Sequence, residues 1–117
     1  MGKRVYYQAQ KRVEKLSKEK VLDLTFDLIN VFSLARTPSE SADLLKDILT
    51  ADEIKDIAKR IRIAKMLIAG DSQRDIASSL HCSLATVTKV SIWLQTSDNG
   101  LKNIINKLPK RSKMPDN

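Results

Sequence analysis

The chain has 117 residues, with 21 Lys and Arg against 14 Asp and Glu, a net charge of +7, and only three Gly and three Pro. That length sets one domain with limited room for a core of its own, and the composition excludes both a disordered chain and an all-β fold. Frequent Asp, Lys and Arg interrupt every apolar stretch and exclude a bilayer-spanning helix, while the lone Cys82 excludes an internal disulfide and fits a reducing cytosol.

Charge is concentrated at the ends. Residues 1–20 hold seven Lys and Arg against two Glu, residues 21–106 hold ten against eleven acids, and residues 107–117 hold four against one. Residues 1–16 read as a basic arm; they lack the apolar segment of an export signal, so no signal peptide is expected and the location expected is cytoplasmic. Arms of this charge can follow a polyanion and release its counterions, although basic ends also serve solubility alone.

A helical domain is expected over 17–108. Its first helix should run from near Ser17 to about Ala35, carrying Val21, Leu22, Leu24, Phe26, Leu28, Ile29, Val31, Phe32 and Leu34 on more than one stripe. One subunit of this size can hardly cover so much apolar surface, so a homodimer with a shared core is expected. Thr37-Pro38-Ser39-Glu40 then reads as a cap, a first-turn proline and a capping-box acid, opening a short helix through Leu44, Leu45, Ile48 and Leu49. Thr50-Ala51-Asp52-Glu53 repeats that signal and opens a helix of about 20 residues that should stop at Gly70. Its Ile54, Ile57, Ala58, Ile61, Ile63, Ala64, Met66, Leu67 and Ile68 wrap most of the helix and mark it as the central column.

Between Ser72 and Leu94 the residues fit a helix-turn-helix. Ser72 caps the first helix, Ile76, Ala77 and Leu80 face inward, His81 and Cys82 turn the chain, and Ser83 caps the second helix. On that helix Val87, Val90, Ser91 and Leu94 share the packed face. Leu84, Ala85, Thr88 and Lys89 are left outward near the N-terminus, a set suited to base edges and thymine methyl groups. With Gln73 and Arg74 on the bracing helix, and Ser83 and Thr86 at the start of the reading helix, they make up the expected site for double-stranded DNA. His81 occupies a turn position where Gly is commonest, which asks for a left-handed backbone. An ordinary pair of packed helices carries the same pattern. Gln95–Gly100 reads as a polar loop, Leu101, Ile104, Ile105 and Leu108 as the inward residues of a last helix ending at Pro109, and 109–117 as a disordered basic tail.

Ile48-Leu-Thr-Ala-Asp-Glu53, Arg60-Ile-Arg-Ile-Ala64, Ser72-Gln-Arg-Asp-Ile76 and Ala85-Thr-Val-Thr-Lys89 resemble, in order and close to spacing, the Trp repressor family, over roughly residues 44–94. The resemblance implies an all-α, intertwined dimer with two helix-turn-helix reading heads, and a sequence-specific repressor of transcription. In that family free tryptophan sits between the central and reading helices, and the matching positions here are Thr50, Arg60, Lys89, Val90 and Trp93. Lys89 replaces an Arg, Val90 falls where the family has Gly beside the indole, and Trp93 falls where it has a small Ser. Val90 and Trp93 are therefore expected to fill the pocket themselves, so that no cofactor is required and tryptophan or another small effector is disfavoured. An Arg between apolar neighbours, as Arg60 is, also suits a purely structural paired role.

Nothing in the sequence reads as catalytic. His81 and Cys82 are neighbours in a turn, with neither metal-ligand spacing nor a third group to orient a nucleophile. The carboxylates Asp52, Glu53 and Asp56 lie in a first helical turn, where acids serve capping and the helix dipole. No enzyme and no membrane partner are expected. Two further readings remain open from sequence: a DNA-binding subunit for replication or transposition, and a helical protein-interaction module without DNA binding.

Overall fold

The computed structural model describes residues 15–108. Among them the backbone forms helices only: α1 (Lys18–Leu34), α2 (Pro38–Ile48), α3 (Ala51–Ile68), α4 (Gln73–Leu80), α5 (Leu84–Thr96) and α6 (Gly100–Asn106). The expected tail 109–117 lies outside the described residues, as does the expected basic arm except at Lys15 and Leu16. None of the described helices is long and apolar enough to cross a membrane.

The chain divides into two units, one running to Leu44 and one starting at Leu45, with α2 crossing the boundary. In the first unit, Ser17 caps α1 by accepting the Lys20 N–H at 3.1 Å. All of α1 is exposed, including Leu22, Phe26 and Leu34. Its apolar residues find no cover among the described residues. Thr37 caps α2 by accepting the Glu40 N–H at 3.1 Å, and Glu40 closes the cap by taking the Thr37 hydroxyl at 3.3 Å.

The second unit is organised around the C-terminal half of α3. Thr50 accepts the Glu53 N–H at 3.1 Å while the Glu53 carboxylate accepts the Thr50 N–H at 2.8 Å, the reciprocal capping box expected from the sequence. At the other end Gly70 takes φ +96°, and the Gly70 and Asp71 N–H groups bond back to the Leu67 and Met66 carbonyls, both at 3.0 Å. This Schellman closure satisfies the terminal carbonyls and turns the chain toward α4. Ile63 and Ala64 from α3, Ile76 from α4, Val87 and Val90 from α5 and Ile105 from α6 form the buried core. Met66, Leu67, Ile68, Ala77, Leu80, Cys82 and Leu94 pack around its edge.

On the central helix Ile63 and Ala64 are buried, while Ile57, Ala58 and Ile61 are exposed. Two expectations need correction. The polar stretch 95–100 is not all loop: α5 continues through Thr96 and α6 already starts at Gly100. The Thr96 hydroxyl donates to the Ile92 carbonyl at 2.9 Å and the Ser97 N–H to that of Trp93 at 3.0 Å, so local bonds carry the helix through polar sequence. On α6 only Ile105 is buried, and Leu101, Ile104 and Leu108 remain exposed.

Candidate nucleic-acid interface

Two short helices and the turn between them hold most of the expected site. Ser72 starts α4 by accepting the Asp75 N–H at 3.1 Å. At the end of α4, His81 adopts φ 52° and ψ 46°, while its N–H bonds to the Ser78 carbonyl and that of Cys82 bonds to the Ala77 carbonyl at 3.1 Å. The same Schellman geometry as at Gly70 is thus built with a histidine in the left-handed position. Ala77 and Cys82 both pack against the core there, supplying the apolar contact that accompanies the motif.

Ser83 then starts α5, accepting the Thr86 N–H at 3.1 Å and lying 2.9 Å from the Thr86 hydroxyl. Both side chains therefore serve the helix terminus first. From that fixed start, Val87 and Val90 enter the core with 0% and 3% exposure, and half-buried Ser91 and Leu94 extend the same packed face. A helix anchored along one side presents the other. Leu84, Ala85, Thr88 and Lys89 are all exposed on α5, and Arg74 is exposed on α4.

One interhelical contact could not be read from spacing. The Thr88 hydroxyl donates to the Gln73 amide oxygen at 2.7 Å, joining the outward side of α5 to the start of α4. Gln73 is half-buried, and this bond tethers its amide to α5. With its oxygen occupied, the amide NH2 keeps two donors for an acceptor outside the protein, and Thr88 keeps its methyl group and oxygen lone pairs.

The expected effector positions divide. Val90 belongs to the core, whereas Trp93 is 42% exposed. The Arg60 guanidinium carbon and the Lys89 ammonium nitrogen each lie 5.5 Å from the Trp93 ring centroid, within cation–π range. Arg60, Lys89 and Trp93 thus come together across α3 and α5. Thr50 caps α3 ten residues before Arg60, about 15 Å along the helix axis, and does not join them within one chain. Lys89 and Trp93 sit four apart on one helix, a spacing that announces a contact; the arrival of Arg60 depends on tertiary packing and left no local signal.

The sequence model of the Trp repressor protein family matches residues 21–109. Proteins described as Trp operon repressor homologs, from strains of Xylella fastidiosa, are 31% identical over 93 residues, which is 79% of this chain and 96% of theirs. A crystal structure of a TrpR-like protein from Eubacterium eligens matches the fold with a TM-score of 0.70 at 25% identity, over 78% of this chain and 94% of the other. The likeness runs through α3, α4 and α5, the elements that hold the exposed Thr88 face, and by this match across most of its length the chain belongs to the Trp repressor family.

Proposed function

We propose that this protein is a cytoplasmic, sequence-specific DNA-binding regulator of transcription that acts as a repressor and as a homodimer. In each subunit α4 and α5 form a helix-turn-helix head, with α5 as the reading helix and α4 bracing it. The observation that carries this reading is the outward face of α5. Leu84, Ala85, Thr88 and Lys89 stand in solvent on a helix whose opposite face is locked by Val87 and Val90, and whose N-terminus is fixed by Ser83. Such a face can meet base edges without disturbing the core.

Arg74 and the Gln73 amide flank it, and the roles proposed for them are phosphate or guanine contacts that set register. Ser83 and Thr86 lie where backbone N–H groups of a helix start meet phosphate, and support that end of the contact. Membership of a regulator family, with relatives described as Trp operon repressor homologs, supports the same assignment. The dimer is supported by the uncovered apolar residues of α1 and of the first part of α3, which a second copy would bury.

A gel shift of the purified full chain on genomic fragments, including the region upstream of its own gene, tests the reading. Retarded species that persist at moderate salt on a subset of fragments are expected. No retardation even at low salt, where nonspecific contact alone should register, would leave a protein-interaction module as the better description.

A further inference from the structure

We propose that Trp93 is a built-in positioning residue, clamped by Arg60 and Lys89, that sets the angle of α5 on α3 without any bound small molecule. The inference rests on α5 being the reading helix for its consequence, but the clamp itself rests only on contacts within the second unit. Three side chains make it. Arg60 comes from α3, one turn before the core pair Ile63 and Ala64, and Lys89 and Trp93 come from α5 on either side of buried Val90.

The packing of α5 on α3 leaves this clamp something to do. Core contact passes through Val87, Val90, Ile63 and Ala64, with Leu67, Ile68 and Leu94 packed along its edge. Trp93 lies outside that contact, since it is 42% exposed while Val90 is 3% exposed, so the clamp adds a second attachment of α5 to α3 beside the core. Both cations lie 5.5 Å from the same ring centroid, so they are no further apart than twice that distance. The electron-rich ring face offsets their repulsion, and removing the ring leaves two like charges on neighbouring helices with nothing between them.

A head whose angle is held by the chain's own indole is already set for DNA, and added L-tryptophan has nothing to supply. Binding is then governed by protein concentration rather than by an aromatic effector.

Trp93 is the single Trp in the chain, so its emission reports the clamp without ambiguity. The test uses the full chain, with amide hydrogen exchange and quenching of Trp93 by iodide and by caesium. For W93A, exchange across α5 should rise about tenfold, the factor that two exposed cation–aromatic contacts are together worth, while W93F should stay close to the native rate. In the native chain iodide should quench Trp93 several-fold more strongly than caesium, and R60Q should reduce that ratio and speed α5 exchange. Should W93A fail to fold, R60Q decides alone, since exposed Arg60 can be neutralised without opening the core. Unchanged α5 exchange in W93A, or in R60Q where W93A does not fold, would overturn the clamp. A DNA titration separates the two proposals: specific affinity should fall in W93A in proportion to the exchange change, and millimolar L-tryptophan should leave the native affinity unaltered. A native affinity that rises with L-tryptophan would overturn the built-in role. Native protein that binds no DNA would end the DNA-binding reading while exchange still decided the clamp.

Discussion

Thr88 donates its hydroxyl proton to Gln73, which leaves its oxygen lone pairs and its methyl group for the proposed DNA contact. The Thr88→Ala variant loses both the exposed hydroxyl oxygen and the tether on Gln73, and on the proposed reading should weaken the preferred sequence by about 1–3 kcal/mol while altering which sequence is preferred. Selection of bound sequences from a random pool, repeated with the variant, measures both effects. Arg74→Ala should cost a similar amount, about 1–3 kcal/mol, with a smaller salt slope if its partner is a phosphate. His81 offers a stability test independent of function. It holds φ 52° in a position that glycine occupies freely, so His81→Gly should stabilise the fold by up to about 1 kcal/mol, read as a raised thermal midpoint with α4 and α5 unchanged. That strain was legible in the sequence, because a turn with no glycine must bend through some other residue.

Most helix starts among the described residues are well read, because they are written within four residues, whereas α6 starts after Asn99 with no side-chain cap, in sequence that reads as loop. Ser17, Thr37, Thr50, Ser72 and Ser83 all cap where their side chains and spacing place them. Thr50→Ala removes one side of a complete capping box on the helix that carries the core, and should cost about 1 kcal/mol of stability by thermal or denaturant melting. Helix ends are written less clearly. Gly70 marks its stop, but Gln95 and Thr96 remain helical although their polarity suggests a loop. The bond from Thr96 to the Ile92 carbonyl shows why composition misled there: a threonine can satisfy a helical carbonyl as well as break from the helix. Contacts between elements were the least legible. Gln73 and Thr88 are 15 residues apart, and Arg60 reaches Trp93 only because α3 and α5 pack together.

At the scale of the molecule, exposed apolar surface is the main fact a single chain leaves unaccounted for. Val21, Leu22, Phe26, Ile29 and Leu34 on α1 all stand open, and fully burying each such side chain against a second copy contributes about 1.5–3 kcal/mol. Sedimentation equilibrium should therefore return a dimer, and replacing Leu22 and Phe26 together by Asp should shift it toward monomer and abolish specific DNA binding with it. Sequence announced this surplus through apolar residues on more than one stripe of α1. The basic ends belong to the same scale. Deleting residues 1–12 should lower DNA affinity and its salt dependence together, and leave the thermal midpoint unchanged, if the arm follows phosphates.

The central claim is that the Thr88 side of α5 enters duplex DNA. Backbone amide shift mapping on the full chain, titrated with a DNA fragment it retards, addresses that contact most directly. The largest changes should fall on Leu84, Ala85, Thr88 and Lys89, with Gln73 and Arg74 next and the buried core amides of Ile63 and Ala64 little moved. Changes centred on α1 or α6, with the outward residues of α5 left at their free positions, would contradict it.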